Sequence, residues 1–223
     1  MLIAKLLLTA TVKDRVKDGL TGWYSGQPSL HTTTQWLDQS GNNRHGALTA
    51  ITWGTNYAQF NGVSSMVSFG VQNSAKVTFD AYVEWTAIST SQEVIISNLS
   101  DSSPYTGAFL RKGTGAGEVG MGVAIGGTVY YANDGVPPIA GVKYHYVGCF
   151  DGSKIDFFKN GALVSSTNQS GSISNSVRRT FGARNDNKNF ARIKIYDAAI
   201  YNKALIPEQV NLNYQYCRAV YGL

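Results

Sequence analysis

From Val77 to Ala87 the chain alternates without a break. Val77, Phe79, Ala81, Val83, Trp85 and Ala87 fall on one side, and Thr78, Asp80, Tyr82, Glu84 and Thr86 on the other. A strand turns successive side chains to opposite faces, so this run predicts a half-buried strand with an apolar face and a polar face. The same rhythm returns at 144–150 and 155–159, separated by Asp151-Gly152-Ser153, and then at 162–164 after Asn160-Gly161. Asp-Gly and Asn-Gly tolerate positive φ and are strong hairpin signals. Asn61-Gly62, between 58–60 and 66–69, reads as a third. Further strands are predicted near 93–98, 107–111, 118–124, 127–132 and 180–201. One helix is predicted at the C-terminus. Pro207 suits a first helical position, Glu208 suits the positive end of the dipole, and Val210, Tyr214, Cys217 and Tyr221 form an apolar stripe. Many short strands and one trailing helix make an all-β, two-sheet sandwich.

Composition agrees. The 223 residues are 15% charged and include 24 Gly and 13 Tyr, a profile that excludes a coiled coil, a collagen-like repeat and a charge-rich disordered chain. A chain of this size needs no disulfide or metal to fold. Cys149 and Cys217 match no metal-ligand spacing and read as two reduced core thiols in preference to one long-loop disulfide. The net charge of +5 is too small to call for nucleic acid. No stretch approaches the roughly 18 apolar residues of a membrane span.

Lys5 interrupts the apolar run at the N-terminus, and no convincing small-residue cleavage site follows. The expectation is a protein made in a cytoplasm and not exported by the general secretory route. Apolar termini are ordinarily mobile unless docked. Residues 1–16 are therefore expected to form a docking arm, with Leu2, Ile3, Leu6 and Leu7 as its contacts, ahead of a domain over 17–223.

Three segments, in order, resemble the laminin-G-like, concanavalin-A-like jelly-roll family of lectin and glucanase folds. The first contains Trp36, Asp38, Ser40, Gly41, Asn42, His45 and Gly46, followed by Phe60-Asn61-Gly62. The second runs from Tyr144-His145 through Val147, Phe150, Asp151 and Gly152 to Phe158, Asn160 and Gly161. The third is Ile195-Tyr196, Ile200-Tyr201-Asn202, Ala204-Leu205, then Glu208 and Asn213-Tyr214. Tyr144 stands where the family often has Trp, and the acidic pair sometimes seen before the last strand is missing. The resemblance implies a jelly roll with a short closing helix. It also implies calcium in many relatives, for which Asp38, Asn42 and Asn43 offer oxygens, although calcium wants six to eight of them.

Catalytic chemistry is harder to find. Retaining glycosidases need two carboxylates about 5–5.5 Å apart, and the 14 acids here are scattered. Asp14 and Asp18 sit among Lys13, Arg15 and Lys17 as a solvated surface, and Asp80 and Glu84 read as solvent-facing charges on one strand. Gly113-Thr-Gly115-Ala-Gly117 lacks the Lys-Ser/Thr of a phosphate loop. His45 and His145 read as hydrogen-bonded structural histidines and His31 as exposed. Sugar recognition in such folds uses aromatic faces, and Tyr105, Tyr130 and Tyr131 lie in turn-rich segments that can present rings. The basic run Arg178, Arg179, Arg184, Lys188, Arg192 and Lys194 reads as a solvated loop, or as a face for an acidic partner or anionic glycan.

A lectin-like sandwich without an export pattern points to a bacteriophage virion, made in host cytoplasm. The expected function is a non-enzymatic virion surface protein, a head decoration or fibre component. Its arm would dock on other virion proteins in an oligomeric assembly, and its sandwich would face cell-surface glycans. The alternatives are a stand-alone carbohydrate-binding module and, further off, a glycan hydrolase or lyase using Asp80 and Glu84.

Overall fold

A computed structural model describes residues 14–115, 117–174 and 177–222. Its strands are β1 (Leu20–Ser25), β2 (Gln35–Trp36), β3 (Gly46–Thr49), β4 (Thr52–Trp53), β5 (Ala58–Gln59), β6 (Met66–Val71), β7 (Val77–Trp85) and β8 (Glu93–Ser97). They continue with β9 (Tyr105–Lys112), β10 (Val119–Asn133), β11 (Lys143–Phe150), β12 (Lys154–Lys159), β13 (Ala162–Asn168), β14 (Arg178–Phe181) and β15 (Ile193–Tyr201), and end in the helix α1 (Pro207–Tyr221). Two antiparallel sheets stack as a jelly-roll sandwich. The eight-stranded sheet runs β13-β12-β11-β7-β15-β5-β4, with β1 also on β15, and the seven-stranded sheet runs β10-β9-β8-β14-β6-β3-β2. Val77, Phe79, Ala81, Val83 and Trp85 face the inter-sheet core with Phe60, Val67, Ile96, Leu110, Met121 and Phe181. No helix among the described residues is long and apolar enough to cross a membrane.

The turn at Asn160-Gly161, with φ of 52° and 80°, joins β12 to β13 as expected. Asn61-Gly62 does not make a hairpin. It carries the chain from β5 in one sheet to β6 in the other, and the Asn61 Oδ1 accepts bonds from the amides of Val63, Ser64 and Ser65. An Asx turn satisfies a crossover as well as a hairpin, and the dipeptide alone cannot tell them apart. The region 118–132 doubles back at Gly126-Gly127 (φ 59° and 85°), so that the Asp134 amide donates to the Val119 carbonyl at 3.3 Å. The stretch 180–201 is two strands in different sheets.

The larger departure concerns the polar face of β7. Its alternation is as read, yet Thr78, Asp80 and Tyr82 are fully buried and only Glu84 is partly exposed. Helix α1 and the segment around Val16–Trp23 cover this outer face, packing Val210, Tyr216, Cys217 and Tyr221 against Val147, Ala199, Tyr201, Tyr82 and Tyr196. Both cysteines are buried free thiols. Pro207 opens the helix, and the Ile206 amide donates to Gln209 Oε1. The stripe runs through Val210, Asn213, Cys217 and Tyr221, with Tyr214 displaced to the flank.

Candidate functional site

Among the described residues, no helix covers the outer face of the seven-stranded sheet. In β9, Leu110 points into the core, so Phe109 and Arg111 point out. In the returning half of β10, Tyr130 and Ala132 pack inward while Tyr131 and Asn133 point out. The Arg111 guanidinium lies 4.1 Å above the Phe109 ring and donates to Gln92 Oε1 at 2.8 Å and to the Tyr131 hydroxyl at 3.0 Å. Burial pushes the Arg111 pKa down, against a smaller upward pull from Tyr131. Tyr131 remains 44% exposed, tilted on Phe109 with 5.6 Å between ring centroids.

Two adjoining hollows share Gln92, Arg111 and Tyr131. One, of about 290 Å³, adds Gly113, Glu118 and Asn133. The other, of about 420 Å³, adds Leu99, Tyr105, Val129 and Arg184. Their size and mixed lining suit a small polar ligand with an apolar face. Gly122 makes the floor possible, because a Cβ there would come within 2.2 Å of the Phe109 ring. The rim is held by Lys112, which is fully buried and donates to the carbonyls of Ser89, Ser91, Gly113 and Gly115 at 2.8–3.3 Å, with the Glu93 carboxylate 3.7 Å away. Burial pushes its ammonium pKa down, and Glu93 pulls it back up.

Of the three tyrosines picked out as sugar platforms, Tyr105 and Tyr131 meet in the larger hollow. Tyr130 packs against the inter-sheet core instead, as its neighbouring register position requires. Arg111, Gln92, Glu118 and Asn133 escaped the sequence reading. The signal for Arg111 was present in the alternation of Phe109-Leu110-Arg111.

The carboxylates considered for hydrolysis lie elsewhere. Asp80 and Asp197 are fully buried under α1, both bound by Arg15: NH2 reaches Asp80 Oδ1 at 2.9 Å and NH1 reaches Asp197 Oδ1 at 2.5 Å. Asp80 also meets His145 Nε2 at 3.0 Å and accepts from Asn213 Nδ2 at 2.7 Å. Asp197 accepts from Trp23 Nε1 and the Tyr221 hydroxyl, each at 3.0 Å. Burial by itself would raise Asp80, but the charge of Arg15 and then the influence of His145 outweigh it and hold its carboxyl well below the usual range. At Asp197 burial wins over Arg15, and the pKa is raised. Asp80 is therefore no solvent-facing charge but a fully buried one. Glu84 is engaged by Lys194 Nζ and the Tyr196 hydroxyl, both at 2.7 Å. Arg15 is likewise no part of a solvated arm, and a boundary after residue 16 cuts through this network. Leu2, Ile3, Leu6 and Leu7 lie outside the described residues.

The loop offered for calcium fits it poorly. Asp38 accepts the amides of Trp23, Ser40 and Arg44 and the Ser40 hydroxyl at 2.9–3.0 Å, which occupies both carboxylate oxygens. Asn42 donates its amide to Leu20 O and Ser40 Oγ. Asn43 turns the chain at φ 54°. The set is a loop staple, and no cluster of metal-ligating side chains occurs among the described residues. His45 Nδ1 accepts the Asp38 amide at 3.0 Å. His31 is half-buried and not exposed as expected, its ring stacked 3.6 Å from that of Trp53. The basic run is split. Arg184 and Lys188 pair with Asp186, and Lys194 pairs with Glu84. Arg178 bonds Asn185, while Arg179 turns inward and is 2% exposed.

No curated protein matches the chain. Solved structures do. The receptor-binding domain of botulinum neurotoxin C/D mosaic serotype superposes with a TM-score of 0.71 at 14% identity, over 90% of this chain and 52% of that one. The ligand-binding domain of botulinum neurotoxin serotype D in complex with N-acetylneuraminic acid gives 0.71 at 15%, over 90% and 51%. Trypanosoma rangeli sialidase in complex with sialic acid gives 0.71 at 13%, over 92% and 34%. The chain thus spans about half of the toxin domains and a third of the sialidase, and at such identities the likeness is one of fold. Residues 52–211 match the family model described as the concanavalin A-like lectin/glucanases superfamily. With lectin-like sandwich, closing helix and family match in agreement, the chain belongs to the concanavalin A-like lectin/glucanase superfamily.

Proposed function

We propose that this protein is a non-enzymatic glycan-recognition domain that binds sugar in the paired hollows on the outer face of its seven-stranded sheet. One observation carries the reading. Tyr131 offers a half-exposed ring beside Arg111, which is already oriented by Phe109 and Gln92. A ring for the apolar face of a pyranose, flanked by fixed donors and acceptors, is the composition such a ligand needs. Glu118 is the one carboxylate among the described residues lining the two hollows. That supports binding without hydrolysis by the paired-carboxylate route that most glycosidases use. Solved neighbours that carry N-acetylneuraminic acid or sialic acid add weight to a sugar ligand.

A glycan array followed by titration calorimetry tests this. Saturable binding is expected, reduced at least tenfold by Tyr131→Ala and by Arg111→Gln, with no release of reducing ends from the bound glycan. Failure to retain any glycan, or binding indifferent to both substitutions, would overturn it. We propose a bacteriophage virion as the setting of this surface, following the expectation from the sequence. Peptides of the chain in purified particles are the check.

A further inference from the structure

Arg179 is the one member of the basic run that turns inward. Its guanidinium carbon lies 5.4 Å from the centre of the Phe79 ring, and one nitrogen donates to Gln72 Oε1 at 2.5 Å. Its Nε is buried and finds no acceptor. Arg44 donates to the same Gln72 oxygen at 3.0 Å. Two guanidiniums thus converge on one neutral amide. No carboxylate among the described residues lies within ion-pair distance of either. Burial pushes the Arg179 pKa down to about 10, and Arg44 pushes in the same direction.

The molecule handles its other buried arginine differently. Arg15 is met by two carboxylates. A buried charge without a counter-ion is costly, and here the two guanidiniums border an open hollow of about 240 Å³ lined also by Thr21, Tyr201 and Asn202. That space lies just under the range of drug-sized ligand sites and suits a small anion with its waters. The guanidinium fork matches carboxylate, phosphate and sulfate oxygens in particular. We propose that Arg179, Arg44 and Gln72 form an oxyanion-binding site. It shares no lining residue with the paired hollows and stands or falls independently of them.

The test follows the side-chain Nε–H resonance of Arg179 by NMR while inorganic phosphate is added at constant ionic strength, with chloride as the control. A saturable shift with phosphate alone is expected, and Arg44→Gln should weaken it about tenfold by removing one charged donor. Gln72→Glu supplies a carboxylate from within. It should raise the thermal midpoint by about 5 °C without added anion and abolish the phosphate response. Equal responses to phosphate and chloride would overturn the proposal, as would a Gln72→Glu protein that is no more stable and still responds. A sulfated or uronate-bearing oligosaccharide identifies the source of the anion. Binding more than tenfold tighter than phosphate assigns the site to a glycan substituent, and equal binding assigns it to the free ion.

Discussion

The two outer faces of the sandwich use similar residues for opposite ends. On the eight-stranded sheet, Asp80, His145 and Asp197 are roofed by α1, which contributes Tyr221, and by the segment carrying Arg15, and each carboxylate has several partners. On the seven-stranded sheet, Arg111, Gln92, Glu118 and Tyr131 stand at the surface, with Arg111 held from one side by an aromatic ring and an amide. The first arrangement spends its polar groups on one another. The second leaves ring faces and hydrogen-bonding capacity for a visitor. What separates them is the cover: one helix and a few residues before β1 turn a polar strand face into an interior.

Removing the cation from the covered face should have the largest effect. Arg15→Met leaves Asp80 and Asp197 buried without their shared charge, and breaking such a pair costs about 3–5 kcal/mol, or a fall in melting temperature of about 10 °C for a domain of this size. Arg15→Met combined with Asp197→Asn should recover part of that loss, since one uncompensated charge goes with it. A midpoint within about 1 °C of wild type for Arg15→Met alone would mean the network contributes nothing.

Acid probes the same network. The Asp80 pKa is depressed in the fold, so its contribution is present above the unfolded value of about 3.9 and is lost as pH falls toward the folded one. Asp197 is raised, so it opposes folding at neutral pH and its protonation on acidification restores some stability. Thermal midpoints between pH 5 and 2 should therefore drop less steeply for Asp80→Asn than for wild type. Parallel curves would remove Asp80 from the acid response.

These two faces also mark how far the sequence could be read. The alternation in 77–87 declares which side chains share a side, and the structure keeps that assignment over 77–85, where the strand ends. It says nothing of what lies above the second side. Asp80 looked solvated because a charge on a lone strand ordinarily is. Its burial depends on Arg15, 65 residues earlier, and on Asn213, 133 residues later. The hollow was half legible, since Tyr105 and Tyr131 are conspicuous aromatic residues near turns. The choice of Tyr131 over Tyr130 depends on register within a strand that folds back at Gly126-Gly127, and a one-residue difference there exchanges core for surface.

A smaller effect is expected at the rim. Lys112 holds four carbonyls from the loops on either side of the smaller hollow. Lys112→Met keeps the stem and deletes the ammonium, leaving those oxygens to water or to each other at a cost of about 2 kcal/mol. Amide hydrogen exchange in 89–92, 113–115 and 117–118 should quicken while α1 stays protected. Faster exchange across both sheets would show that the rim and the covered face are one cooperative unit and not two regions.

The smallest change on stability is predicted for Tyr131→Phe, and it bears most directly on the contrast. The substitution keeps the ring and removes only the hydroxyl that accepts from Arg111. Arg111 retains Gln92 and Phe109, and Tyr131 is half-exposed, so unfolding free energy should move by no more than about 0.5–1 kcal/mol. If the hollow is built for a ligand, glycan affinity should fall several-fold as the guanidinium loses its second anchor, while Tyr131→Ala, which also loses the ring, falls further. If Tyr131→Phe instead costs as much stability as Lys112→Met and leaves affinity untouched, the tyrosine hydroxyl is an internal brace like those beneath α1. The open face would then be doing what the covered one does.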